Sequence, residues 1–367
     1  MTALKYWVAL NRISGLGPRK FEGLATHFGD LGLAWGARAS ELEAAGLSPE
    51  QAAQVVRERS SIDPDDEMAR MERAGVTAVA RPDAGYPVLL KEIYDPPPVL
   101  YLRGTHGLTS DNGLAVVGTR SATPYGREVT ARLVTELVGA GLTIVSGLAK
   151  GIDGVAHRSA LDAGGRTLAV IGSGLDTIYP PEHRSLADAI LDRGALITEF
   201  PLGHRIEPAN FVRRNRILSG LTRGTLVTEA GIKSGALITV KFALEQNRDV
   251  FAVPGSILSS RSAGTNWLIQ QGARPVTSAA DVLEDLRLTT GSQFRLPVSE
   301  IEGGLDEAVL ASVSDEPVHI NDVIRTSGLP SATVSAALTM MELRGLVRQA
   351  GPLHYSRVRG LGIGSNR

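Results

Sequence analysis

Between residues 114 and 253 the chain repeats one pattern: a short apolar run, an abrupt change to Gly, Ser, Thr or charge, and in most cases a helix-length segment before the next run. The runs are 114–117, 143–145, 167–171, 195–198, 226–228 and 250–253. They lack apolar/polar alternation, so both faces of each strand must be covered. Segments 126–138, 155–163, 182–192 and 236–246 read as the helices that cover them. This order predicts an α/β fold with a Rossmann-like parallel sheet as its core.

The flanks read differently. Residues 1–60 predict short helices interrupted by Gly15-Leu16-Gly17-Pro18 and again by Gly46-Leu47-Ser48-Pro49, with Ser48 placed to cap a helix beginning at Pro49. Helix, glycine hairpin, helix, twice over, is similar to a tandem helix-hairpin-helix (SAM-like) domain. Its hairpins either offer backbone N–H groups to a phosphate or only pack. Residues 61–112 form an expected connector, too proline-rich at Pro96-Pro97-Pro98 for a helix or a central strand. The Rossmann-like domain spans 113–287, and a Ser/Thr/Gly-rich linker spans 288–304. Residues 305–360 predict three helices and a two-stranded ribbon, the order of a winged helix.

Composition narrows the chemistry. The chain has no cysteine, which excludes disulfides, thiolate metal sites and a thiol nucleophile, and fits a reducing cytoplasm. No apolar run approaches the roughly 20 residues of a membrane helix, and the first residues do not read as a secretory signal. Net charge is −1, so any polyanion must be met by local charge. Residues 114–278 carry 18 Lys/Arg against 13 Asp/Glu, whereas residues 305–358 carry 4 against 6. The middle of the chain is the better polyanion binder.

In a parallel sheet, ligands collect at the carboxyl ends of the strands. The turns there are Gly118-Thr119-Arg120, Ser146-Gly147-Leu148-Ala149-Lys150-Gly151, Gly172-Ser173-Gly174, Thr198-Glu199, Glu229-Ala230-Gly231 and Pro254-Gly255-Ser256. Glycines let the backbone approach a ligand, and N–H groups at the following helix starts attract anions. Neither a dinucleotide fingerprint nor a Walker A sequence is present. Arg120 is read as a phosphate ligand beside Lys150; the competing reading pairs it with Glu199 or Glu229. A second cluster, Phe211, Arg213, Arg214, Asn215 and Arg216, supplies phosphate neutralisation and a ring for base stacking, as single-stranded nucleic acid requires. There the competing reading puts Phe211 in the core and leaves the arginines solvated. Ser234 and Gly235 open a helix, either as a cap or as a ligand site. His157 follows Asp153 at helical spacing, which reads as an internal hydrogen bond. No metal, cofactor or catalytic constellation is expected.

Taken together, these residues resemble the DNA processing protein A (DprA, also Smf) family. The resemblance rests on Val116-Val117-Gly118-Thr119-Arg120, Tyr125-Gly126, the run 145–153, Ala156-His157, Gly172-Ser173-Gly174-Leu175-Asp176 and Tyr179-Pro180. It continues through Phe211 with Arg214-Asn215-Arg216, Glu229-Ala230, Ser234-Gly235 and Val253-Pro254-Gly255. It covers about residues 85–285. The resemblance implies binding and protection of single-stranded DNA, loading of the RecA recombinase during natural transformation, and no enzymatic step. It also implies a homodimer built on the Rossmann-like domain, for which Trp267, Leu268, Leu283 and Leu286 are the candidate surface. The alternative is an enzyme of the broader Rossmann-like group that binds or hydrolyses a nucleotide-derived ligand.

Overall fold

The structure, a computed structural model, describes residues 4–105, 112–288, 305–343, 346–351 and 353–358. The chain divides into two compact units, 1–290 and 291–367. The expected linker lies outside the described residues except for Leu288.

The first unit is built on a nine-stranded sheet. Its strands are β1 (Thr77–Ala80), β2 (Val99–Gly104), β3 (Gly113–Val117), β4 (Thr143–Ser146), β5 (Thr167–Val170), β6 (Ala195–Thr198), β7 (Gly224–Val227), β8 (Asp249–Ala252) and β9 (Arg274–Pro275). Their order is β1-β2-β6-β5-β4-β3-β7-β8-β9. From β6 to β9 all pairs are parallel; β2 and β1 are added antiparallel at the β6 edge. Alternate residues of β3 serve opposite layers, Leu114 and Val116 entering one core and Ala115 and Val117 another. This two-sided burial explains why the apolar runs show no alternation.

The connector differs from its expectation. It holds the helices Pro64–Arg73 and Val88–Lys91 and contributes β1 and β2 to the sheet. The prolines end at Pro98, and Val99–Leu102 is a buried apolar run with every ladder donor intact, so it pairs with β6.

The N-terminal helices Leu4–Asn11, Pro18–Phe28, Leu31–Gly36, Ala39–Ala44 and Pro49–Arg59 follow the glycine punctuation. Ser48 accepts from the Gln51 N–H at 3.3 Å while Gln51 Oε1 accepts from the Ser48 N–H at 3.1 Å, a reciprocal cap on the helix opened by Pro49. These helices share one core with the sheet, in which Trp7, Phe21 and Leu24 join Ile171, Leu186 and Leu196. Asn11 donates to Tyr101 Oη at 3.2 Å and to the Glu199 carbonyl at 3.0 Å. No described helix is long and apolar enough to cross a membrane.

The second unit has helices Leu305–Ala311, Ile320–Ser327 and Ser331–Leu343 and strands β10 (Val318–His319), β11 (Val347–Gly351) and β12 (His354–Arg357). The strands pair antiparallel in the order β10-β12-β11, so the expected ribbon gains a short third strand. Val309, Val323, Val334, Leu338 and Met341 form its core. The architecture is a winged helix.

Candidate functional site

The chain runs from β3 outward to β6, then returns to place β7 on the other side of β3. At such a reversal the connections leave a crevice beyond the strand ends. Here a cavity of about 650 Å³ opens, lined by Gly118, Thr119, Arg120, Asp153, Tyr179, Phe211, Asn215, Lys233, Ser234, Gly235 and Arg261, among others.

Glu229, at the end of β7, organises its floor. Its carboxylate accepts from the Thr123 N–H at 2.9 Å and from Thr123 Oγ1 at 2.6 Å, and its carbonyl accepts from the Thr119 N–H at 2.7 Å. Thr123 Oγ1 in turn caps the helix Pro124–Gly139 through the Gly126 N–H at 3.1 Å. Glu229 is therefore committed to the turn and does not reach Arg120. Glu199 is committed as well, to Arg213 and Arg216, at 2.8 Å each. Arg120 is exposed at the cavity and makes no ion pair among the described residues. Both structural partners considered for it in the sequence are thus taken.

The helix Pro208–Gly220 forms the opposite wall. Phe211 lies half-buried over Gly172, where an added Cβ would come within 3.0 Å of the ring. Its ring meets Tyr179 at 5.4 Å between centroids, inclined by 48°. Tyr179 is 46% exposed, so the pair presents an aromatic surface to solvent. The Asn215 amide also lines the cavity, half-buried.

The arginines of this helix depart from their expected role. Arg214 is 4% exposed and donates to the Gly147 carbonyl at 2.6 Å and to the Val170 carbonyl. It joins the ends of β4 and β5, and Gly147 has no room for a Cβ beside its guanidinium. Burial lowers its pKa to about 10, and Asp153 nearby works against that shift, so it stays charged at neutral pH. Arg216 is buried between Glu199 and Asp95, the latter at 2.9 Å. Arg213 is half-exposed, pairs with Glu199, and lies 5.6 Å from the Phe200 ring centroid. Arg213 and Arg216 share a helix face, and that face meets the Glu199 carboxylate. The reason is position: a guanidinium carried into a sheet–helix interface needs protein acceptors, and strand-end carbonyls and Glu199 provide them.

Several other expected residues are also used internally. Ser146 is buried and donates from Oγ to the Val116 carbonyl at 2.7 Å. Gly151 adopts φ +79° against the Thr119 carbonyl, which only glycine accommodates. Gly174 packs against the Pro201 carbonyl. Lys150 forms an exposed pair with Glu182 at 2.8 Å, which raises the Lys150 pKa. Ser234 Oγ accepts from the Ala236 N–H at 3.3 Å at the start of the helix Ala236–Glu245, and Gly235 is exposed beside it. Asp153 is buried and accepts from the Gly147 and Ala149 N–H groups at 3.2 and 3.3 Å. Burial raises its pKa, against the pull of Arg214. It does not bond His157, whose Nδ1 faces Thr167 Oγ1 at 2.7 Å. Of the dimer candidates, Leu268 and Leu286 are buried in the unit's own cores and Leu283 packs against one of them. Trp267 is 43% exposed.

Sequence reasoning missed Lys233, Arg261 and Tyr179 as site residues. Lys233 directly precedes the capping residue Ser234, and its charge is the only local signal for it. Tyr179 was noted only as part of the resemblance. Arg261 gave no local signal; the fold brings it, in the loop after β8, to the Thr119 turn.

The family model described as DNA recombination-mediator protein A matches residues 77–287, and that of the DprA winged helix domain matches residues 297–351. Protein Smf of Synechocystis sp. is 36% identical over 390 residues, covering 96% of this chain and 98% of that protein. DNA processing protein A (DprA) from Streptococcus pneumoniae, an X-ray structure, superposes with a TM-score of 0.69 at 37% identity, covering 78% of this chain and 99% of the other. DNA processing protein A from Helicobacter pylori, described for its single-stranded DNA binding mode, superposes with a TM-score of 0.53 at 28% identity, covering 58% of this chain and 95% of the other.

Proposed function

Because this chain belongs to the DNA recombination-mediator protein A family, we propose that it binds single-stranded DNA in the cavity beyond β3 and β7, without chemistry on the strand. The observation that carries this reading is the meeting, in one cavity, of an exposed Arg120, without an ion pair among the described residues, with the aromatic pair Phe211–Tyr179. A guanidinium takes a phosphate, and a ring takes a base of any sequence. The single-stranded DNA binding described for the Helicobacter relative supports it. Gly118 and Thr119 shape the turn under Arg120, and Asn215, Ser234 and Gly235 supply neutral polar contacts. Arg214, Arg216, Ser146, Gly147, Gly151, Gly172 and Gly174 act from behind by holding the wall. Lys150 joins when a phosphate competes for it, since an exposed ion pair is worth about 0–1 kcal/mol.

The reading extends to a cytoplasmic homodimer that protects incoming single strands and passes them to the RecA recombinase. Exposed Trp267 and half-buried Leu283 are the parts of the expected dimer surface left for a partner.

Fluorescence anisotropy on the full chain tests the site. Single-stranded DNA should bind more tightly than duplex. Arg120→Ala should weaken binding and flatten the log–log salt slope by about 0.7, the share of one phosphate on a single strand. Phe211→Ala should cost roughly 1–3 kcal/mol with the slope unchanged, because stacking releases no counterions. If folded Arg120→Ala binds like wild type from about 50 to about 200 mM salt, the site is elsewhere.

A further inference from the structure

One wall of the cavity is left unused by this reading. Arg261 closes a surface loop after β8, and its Nη1 donates to the Ser121 carbonyl at 2.6 Å and lies 3.5 Å from Thr119 Oγ1. Both acceptors are neutral and both belong to the turn that carries Arg120. Arg261 is exposed and has no ion pair among the described residues, so its charge is anchored but uncompensated. Lys233 also lines the cavity, exposed and without an ion pair among the described residues. A phosphodiester carries one negative charge; Arg120, Lys233 and Arg261 together exceed what one such group needs. Successive phosphates of a strand would match them.

The same loop carries Ile257 and Leu258, 92% and 93% exposed. A single exposed aliphatic side chain needs no explanation. Two adjacent ones lie at the tip of a turn closed by the Ser259 N–H on the Ser256 carbonyl at 3.0 Å, a few residues before a cavity-lining arginine. Apolar side chains placed beside backbone-binding cations can lie against or between bases.

We propose that the loop carrying Ile257, Leu258 and Arg261 is the second half of the single-strand track. Arg261 and Lys233 hold the phosphates beyond the one at Arg120, and Ile257 and Leu258 lie against the bases that follow. The inference rests on the single-stranded DNA reading above and lengthens its site across the sheet edge.

The test uses the full chain with fluorescein-labelled oligothymidylates of about 4 and about 12 nucleotides, both within the range of single-strand site sizes. On the longer strand, Arg261→Ala and Lys233→Ala should each flatten the salt slope by about 0.7. The same variants should change binding of the shorter strand less. Arg261→Lys should keep the slope. An Ile257→Ser/Leu258→Ser variant should lose about tenfold in affinity for the longer strand with the slope unchanged. Wild-type slopes for Arg261→Ala and Lys233→Ala while Arg120→Ala still loses affinity would overturn the inference and leave the site reading standing. Wild-type binding by Arg120→Ala as well would remove the site reading itself. If Arg261→Lys falls as far as Arg261→Ala, Arg261 only braces the Ser121 turn and the inference fails. A serine pair that changes the mass in light scattering but not DNA binding would make the loop a protein contact, which also overturns it.

Discussion

Arg120 and Arg214 carry the same guanidinium, and solvent access decides what each can do. Arg120 faces water with no hydrogen-bond acceptor among the described residues, so a phosphate can take it at little desolvation cost. Arg214 donates to two strand-end carbonyls, and withdrawing it would leave those without that donor and Asp153 without its strongest charge partner. His157 shows the same logic for a titratable group. Thr167 Oγ1 donates its one proton to the Ile144 carbonyl at 2.9 Å, so it must accept from His157 Nδ1. Nδ1 therefore carries a proton, and burial, helped by His183, holds the ring's pKa down to about 3 and so keeps it neutral at neutral pH. Between the usual value near 6.5 and that value the unfolded chain takes up a proton that the folded chain refuses. Stability should then fall on acidification, by up to roughly 1.4 kcal/mol per pH unit from this group. The raised pKa of Asp153 acts in the opposite sense, since the folded chain binds that proton more readily. Urea unfolding at about pH 7 and about pH 5 should show a smaller acid loss for His157→Asn, whose amide can replace the Nδ1–H, than for wild type. Equal losses would mean that His157 does not set the acid limb.

The helix Pro208–Gly220 matters as an element because two of its arginines anchor it at different depths. Arg214 ties it to β4 and β5; Arg216 ties it to Glu199 after β6 and to Asp95 in the connector. Phe211 and Asn215 can face the cavity only while both anchors hold. Arg216→Ala should destabilise the first unit by about 3–5 kcal/mol in urea unfolding, because Glu199 stays buried with only Arg213 to meet it. Replacing Glu199 and Arg216 together by Leu and Met should cost less than Arg216→Ala alone. A loss below about 1 kcal/mol for Arg216→Ala would show that Arg213 suffices. The arginines were legible as a cluster with Phe211, although no helix was read over 208–220. Their destination was not, because spacing along a helix says which residues travel together and nothing about the strand ends they meet.

The whole molecule joins a sheet-based unit whose residues 114–278 are net basic to a winged helix whose residues 305–358 are net acidic. The helix Ser331–Leu343 contains no Lys or Arg, whereas winged helices that read DNA bring cations to the backbone. A fragment of residues 1–290 should therefore bind single-stranded DNA within about tenfold of the full chain, and light scattering should give it a dimer mass. Trp267→Glu in that fragment should give a monomer, since Trp267 is exposed. Leu286→Glu should instead unfold it, because Leu286 is buried. A fragment that loses more than tenfold would place essential DNA contacts in the winged helix.

Apolar runs without alternation, glycine at the strand ends and helix caps are local signals, and from them the sequence alone determined the parallel sheet, its flanking helices and the edge where a ligand collects. The connector's strands escaped because β2 is recognised by its partner β6, about a hundred residues away, rather than by its own neighbours. The cations of the site depended on tertiary structure for the same reason. Whether an arginine is free for a phosphate depends on which carbonyls and carboxylates the fold brings within about 3 Å of it. Arg214 and Arg216 found such partners and were absorbed, Arg120 has none among the described residues, and Arg261 entered the site from a distant loop. Charge is written in the sequence, but its availability is set by packing.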